Sequence, residues 1–180
     1  MTELKIPERY IPKLLADKDK KKQKGYIKKS RKMYKEGKYY ERPKVKSYKS
    51  KPSKHLEKVK ELYGRDPLIV NKELEKKSGC SEEGLEKILN KGRGAYYSSG
   101  SRPNQTAESW AVARLASAIT GGPSSAYDYH VLEEHCKKDS IALKLAKKTC
   151  KKLNKKCGKN WHFITNTPVI VNFSAVHAII

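Results

Sequence analysis

The chain has no run of about 18 apolar residues, the least that a bilayer-spanning helix needs, so none of it reads as a membrane segment. Its opening, Met1 to Tyr10, lacks the apolar stretch and small-residue cleavage site of a secretory leader, and the expectation is a protein that begins in the cytosol. Cysteine is scarce: Cys80, Cys136, Cys150 and Cys157, with no Cys-x-x-Cys pair. In a reducing compartment these four are expected as free thiols, and even with His162 their spacing lacks the closely paired ligands of a structural zinc site. His130 and His135 lie five apart on a helical stretch, about 140° apart in projection, and so do not face one ligand. There is no Walker loop, no His-Glu-x-x-His, no paired-carboxylate or Ser/His/Asp pattern, and no internal repeat. No enzyme activity, no cofactor and no metal are expected.

Acidic side chains are also in short supply, 19 against 41 Lys and Arg, for a net charge of +22 in 180 residues with 37% apolar content and a mean hydropathy of -0.84. That length suits one domain with extensions. The charge is not spread evenly. Residues 1–60 carry 22 basic and 7 acidic side chains, residues 61–136 carry 9 and 11, and residues 137–180 carry 10 and 1. The pattern is a basic arm, a nearly neutral module and a basic end, and such flanks seek anionic partners or acidic protein surfaces.

The arm is richer than a disordered tail, which is poor in aromatic and branched apolar residues. Tyr10, Tyr26, Tyr34, Tyr39, Tyr40 and Tyr48 are interleaved with its lysines and with Arg31, Ile11, Ile27 and Val45, so it is expected to order against a partner. Asp17 or Asp19 is expected to cap a lysine-rich helix that ends near Gly37, and Tyr39 to Pro52 reads as an extended strap. Next, Ser53 caps a short helix stopped by Gly64; Asn71 to Lys77 and Glu82 to Asn90 read as two helices around Gly79; Thr106 caps a helix that reaches Thr120. Helices near Ser125 to Lys137 and Ser140 to Lys156, stopped by Gly158, come before two short strands or an extended tail over Trp161 to Ile164 and Val169 to Phe173. The fold class expected is mainly α.

Two constellations stand out in the module. Gly92 to Thr106 (Gly-Arg-Gly-Ala-Tyr-Tyr-Ser-Ser-Gly-Ser-Arg-Pro-Asn-Gln-Thr) reads as a loop before a helix N-terminus. Its Arg93, Tyr96, Tyr97, Ser98, Ser99, Arg102 and Thr106 either hold an anion through free backbone donors and side chains or pack as a structured loop. Glu73 to Leu89 is patterned like a helix-turn-helix, but Glu75 stands where a small residue belongs, and Glu82, Glu83 and Glu86 on the would-be recognition helix repel phosphate. A plain helical hairpin accounts for it better.

Lys91 to Thr106, with Ser109-Trp110 and Ala113 to Ser117, resembles a family found in nucleocytoplasmic large DNA viruses of algae and amoebae. The opening Arg9 to Leu15 and the run Lys28 to Lys32 fit the same family, and the likeness spans residues 9–136. The resemblance implies a viral protein and a virion component, assembled in the host cytoplasm, and brings no catalytic residue with it. The leading expectation is a minor capsid protein whose Tyr-bearing arms link neighbouring capsid subunits into an oligomeric assembly. The alternative is a virion nucleic-acid-binding protein that uses its basic flanks and the helix-turn-helix-like hairpin.

Overall fold

Ser, Thr and Asn side chains set most of the helix starts. In the computed structural model, which describes residues 5–154 and Cys157, Ser53, Asn71, Ser81, Thr106 and Ser140 each accept a backbone N–H two or three residues on. They open α2 (Lys54–Tyr63), α3 (Lys72–Ser78), α4 (Glu82–Ser98), α5 (Ala107–Ile119) and α8 (Ile141–Lys152). Gly64 and Gly79 close α2 and α3 in the left-handed conformation, φ 60° and 72°. The helix α1 (Asp17–Lys35) follows a 3-10 turn at Glu8–Tyr10, and α6 (Pro123–Tyr127) and α7 (Tyr129–His135) precede α8. The protein is mainly helical, and no helix among the described residues is long and apolar enough to cross a membrane.

Several expectations need correcting. Neither Asp17 nor Asp19 caps α1; the N-cap is Ala16, without a side-chain bond, and both carboxylates lie in the first turn, where the helix dipole favours them. Gly92 to Ser98 is helix, so the loop runs only from Ser99 to Thr106. Gly92 serves a close approach and not a bend: a Cβ there would lie 2.5 Å from the Ala111 Cα. The helix expected over Ser125 to Lys137 is two helices, broken at Asp128, where the backbone leaves helical values (φ -104°, ψ 16°) and the carboxylate is fully buried. The expected Gly158 stop and the two terminal strands lie outside the described residues.

The α4–α5 antiparallel hairpin is the centre of the structure. Gly92 meets Ala111 and Arg93 meets Glu108 across it, and α2, α6 and α8 pack on α5 while α1 and α7 pack on α4. Val59, Leu74, Leu85, Ile88, Leu115, Ile119, Leu132 and Leu143 fill the core, each stabilising the fold by about 1.5–3 kcal/mol on full burial. The Tyr63 hydroxyl, buried, donates to the Ile119 carbonyl at 2.7 Å and ties α2 to the end of α5. The charge boundary at residue 60 falls inside α2, so charge and structure divide the chain at different places.

All four cysteines, expected as thiols, are disulfide-bonded: Cys80 to Cys136 and Cys150 to Cys157. The first pair is brought together by the backbone. Ser81 N–H donates to the His135 carbonyl and Lys137 N–H to the Gly79 carbonyl, both at 2.8 Å, a short antiparallel bridge that sets the two cysteines opposite each other. Separations of 56 and 7 residues carry no hint of that pairing.

Two measurements check this architecture. Gly92→Ala adds helix propensity of about 1 kcal/mol but forces α4 off α5 at a cost of about 1–3 kcal/mol or more, so its denaturant midpoint is expected to fall; an unchanged or higher midpoint refutes the close approach. A thiol reagent should find no reactive cysteine in the unfolded, unreduced chain. Opening the 56-residue loop (Cys80→Ser) should cost about 2 kcal/mol more than opening the 7-residue loop (Cys150→Ser), since each doubling of loop length is worth about 0.6 kcal/mol.

Candidate functional site

Beyond α1 the chain turns at Gly37 (φ 74°) and the strap runs back antiparallel along the helix it has just left. The Tyr40 ring sits beneath the Lys29 ammonium at 4.5 Å, Arg42 donates to the Ser30 hydroxyl at 3.2 Å, and Ser47 reaches the N-terminal turn. There the Ser47 N–H and hydroxyl donate to the Asp19 carboxylate at 2.9 and 2.7 Å, and the Ala16 N–H donates back to the Ser47 oxygen at 3.1 Å. The Ser47 backbone N–H first, and its hydroxyl second, hold the Asp19 carboxyl below its usual range.

The other side of strap and helix is held by the family-like motif. The Arg42 guanidinium, 9% exposed, lies 3.6 Å above the Tyr96 ring and donates to the Tyr96 carbonyl at 2.7 Å and the Ser101 hydroxyl at 2.6 Å. Burial pushes it down from its ordinary value, and no carboxylate among the described residues lies within ion-pair distance of it. Asn104, in the left-handed conformation at φ 60°, acts as a clamp: its oxygen accepts the Val45 N–H at 2.8 Å and its amide donates to the Val45 and Tyr48 carbonyls at 3.0 and 2.6 Å. From α1, Gln23 donates to the Ser101 carbonyl at 3.2 Å, Ser30 to the Tyr97 carbonyl at 3.1 Å, and Arg31 to the Ser99 carbonyl at 2.8 Å. Ile27 lies flat on Gly100, where a Cβ would stand 3.1 Å from its methyl.

The sequence-level site residues are thus separated into roles. Tyr96 is fully buried and Tyr97 half-buried, and both face the arm; Ser98, Ser99 and Arg102 are exposed. Arg93 does not converge with Arg102, because it is taken by Glu108 at 2.7 Å and Asn90 at 2.7 Å. Thr106 and Ser109 form a reciprocal capping box, so each spends a donor of the α5 N-terminus. The loop offers carbonyl oxygens to cations of its own chain. It therefore works as a cradle for the arm.

Of the arm residues, Tyr10 is buried with its ring edge-on to Trp110 at 5.7 Å, and Tyr34 stacks on Tyr97 at 6.2 Å. Tyr26, Tyr40 and Tyr48 are half-buried, and Tyr39 is half exposed. Sequence reasoning missed Gln23, Arg42 and Asn104, and read Asp19 as a helix cap and not as the partner of Ser47. A signal for Arg42 does exist: the first 60 residues hold 3 arginines among 19 lysines, and a guanidinium is retained where its planar fork and its stacking on rings are used. Arg9 over Tyr10, Arg31 on Ser99 and Arg42 on Tyr96 are all used in that way.

The outer face of α1 differs. Lys18, Lys21, Lys24, Lys32 and Lys35 are exposed and have no carboxylate within 4 Å among the described residues, whereas Lys20 and Lys22 pair with Asp17 and Asp19. From Lys18 to Lys35 the row is about 25 Å long at 1.5 Å per residue. A second set, Lys144, Lys147, Lys148, Lys151 and Lys152, is exposed on α8.

Other polar clusters are structural. Ser81 lies 3.2 Å from Nδ1 of His135, but Lys87 donates to Nε2 at 2.9 Å, which leaves the proton on Nδ1 and no base facing the hydroxyl. The α3–α4 corner turns at Gly79 as the helix-turn-helix pattern expects, yet the Lys87 ammonium is also paired with Glu83 at 2.9 Å. Buried Asp128 accepts from Nε and one Nη of Arg114, each at 2.8 Å, and from Lys91 at 3.0 Å; burial raises its carboxyl, and these cations outweigh that and keep it below its usual range. Of the residues weighed for zinc, Cys136, Cys150 and Cys157 are disulfide-bonded and His162 lies outside the described residues.

The arm, the strap and the α4–α5 cradle are one unit, and residues 7–131 match the model of a family described as a family of unknown function, DUF5824. The chain belongs to that family. No curated protein and no solved structure matches it. The family segment begins just before Tyr10 and ends within α7, so it contains the arm and its cradle together and leaves out α8 with its lysines.

Arg42→Lys is expected to lower stability by about 2 kcal/mol or more, because an ammonium cannot reach the Tyr96 carbonyl and Ser101 together while lying flat on the ring. Limited proteolysis should then cut within residues 38–53, and a protease pattern like that of the unaltered chain refutes the cradle. Since Asp19 titrates lower in the folded state than in the unfolded chain, its contribution is complete above about pH 4 and is lost as pH falls below that. Asp19→Asn should flatten this part of the acid limb in pH-dependent unfolding, and an acid limb identical to that of the unaltered chain counts against the Ser47 link.

Proposed function

We propose that the protein is a non-catalytic nucleic-acid-binding protein that holds the phosphate backbone on the outer face of α1 and the adjoining strap. The carrying observation is the sorting of side chains in the arm. Tyr10, Tyr34, Ile27, Arg31 and Arg42 turn to the chain's own module and Arg9 lies over the Tyr10 ring, while Lys18, Lys21, Lys24, Lys32 and Lys35 face outward with no carboxylate within 4 Å among the described residues. An exposed flexible cation suits sequence-independent phosphate contact, whose strength lies in counterion release. The 3-10 turn, α1 and strap are already ordered, so binding need not supply the entropy of folding the arm.

The capsid-linking reading, drawn from the resemblance to large DNA virus proteins, rested on arm tyrosines reaching a neighbour. Most of them are used within the chain. One observation still favours it: Leu14, between Tyr10 and α1, is 89% exposed, an apolar side chain that a neighbouring subunit can cover. In that reading the protein sits in the virion and the partner is a capsid protein.

Titration of DNA binding against salt tests the first reading. The logarithm of the association constant is expected to fall linearly with the logarithm of salt concentration. Replacing Lys21 and Lys32 by Gln should shallow the slope by up to about 2, since each phosphate that is no longer neutralised removes about 0.7–0.9 from it. Absence of binding at low salt overturns it.

A further inference from the structure

We propose that the C-terminal end of α1 and the start of the strap form a track for single-stranded nucleic acid, with the Tyr39 ring as the surface on which a base stacks. This rests on the nucleic-acid reading above and narrows it from phosphate in general to strands with exposed bases. Tyr39 is 48% exposed and its ring packs against two others. Its centroid lies 4.9 Å from Tyr97, edge to face, and 6.1 Å from Tyr34, while Tyr34 and Tyr97 stack nearly parallel at 9°. Tyr97 is itself fixed, since its hydroxyl donates to Glu41. A ring held this way loses little freedom when a base covers it.

The surroundings supply the phosphate contacts. Lys32 and Lys35 stand on the last two turns of α1, and the ammonium of Lys29 lies over the Tyr40 ring at the next strap position. Of the nearby carboxylates, Glu36 is paired with Lys38 at 3.7 Å, and Glu41 accepts the Tyr97 hydroxyl and keeps its charge, one anion set against Lys29, Lys32 and Lys35. Cationic side chains that follow a backbone, together with a supported aromatic face, are the means by which proteins hold single strands irrespective of sequence. A duplex keeps its base faces stacked inside and gains nothing from Tyr39. The lysine row alone would serve both forms; the ring distinguishes them.

The full chain is titrated by fluorescence anisotropy with a labelled 20-nucleotide oligothymidine and, separately, with a labelled 20-base-pair duplex. Tyr39→Ala is expected to weaken oligothymidine binding about tenfold and leave duplex binding unchanged, in line with the loss of one stacked base. Tyr39→Leu preserves apolar packing against Tyr97 without a π face and should weaken it similarly, whereas Tyr39→Phe should bind as the unaltered chain does. Lys32→Gln with Lys35→Gln should weaken both probes. If the alanine and leucine variants, with thermal midpoints unchanged, bind oligothymidine as tightly as the unaltered chain, the stacking track is refuted and phosphate binding stands. If the unaltered chain binds neither probe at low salt, both fail.

Discussion

The placement of one guanidinium decides whether this chain has an arm or a wrapped domain. Arg42 is taken out of water with no carboxylate among the described residues within ion-pair distance, and what offsets that loss is a ring face, one carbonyl and two hydroxyls, supplied by α1, α4 and the loop after it. Those groups converge only if α4 runs unbroken past Gly92 to Ser98 and if α5 lies close enough to set the loop at Ser101. The close approach of α4 to α5 at Gly92 and Ala111 thus determines where residues 38–53 can lie. A bend at Gly92 would take the Tyr96 carbonyl and ring and the Ser101 hydroxyl from Arg42 and leave it the Ser30 hydroxyl alone, at a cost of several kcal/mol if the cation stayed buried.

The choice between lysine and arginine then separates inner from outer chemistry on a segment whose composition looks uniform. Arginine is retained where a planar fork is satisfied by carbonyls or lies on a ring; lysine is used where the charge stays in solvent on a flexible stem. Net charge by itself cannot make this distinction. An arm of +15 reads as a coating tail, whereas the folded segment has one apolar and hydrogen-bonded face and one ammonium face.

Much of the helical layout was legible because it is local. Ser53, Asn71, Ser81, Thr106 and Ser140 announce helix starts by side chains that serve their own next turn, and Gly64 and Gly79 announce stops. What was not legible is non-local. Gly92 looks the same in sequence whether it permits a bend or a close approach to Ala111, nineteen residues on. Cys80 and Cys136 meet through a backbone bridge formed by residues 56 apart, and Asp128 interrupts a helix because Arg114 and Lys91 draw its carboxylate inward. At the candidate site the tyrosines were evident and their partner was not, since nothing in residues 1–60 states that the surface they order against belongs to the same chain.

The folded arm carries an electrostatic cost that its own side chains do not remove. Helix α1 carries ten basic and two acidic side chains over 19 residues, and lysines spaced three and four apart on its outer face oppose the helix by a few tenths of a kcal/mol per pair. A helix of that length and composition is marginal alone in water. It persists because Ile27, Gln23 and Ser30 on its inner face are held by the cradle, so the fold bears a repulsion that it does not itself neutralise. Any strand of phosphates laid along the row removes part of that repulsion while leaving the inner contacts intact. By linkage, the free energy that the repulsion costs the isolated protein becomes available as affinity for whatever anion completes it.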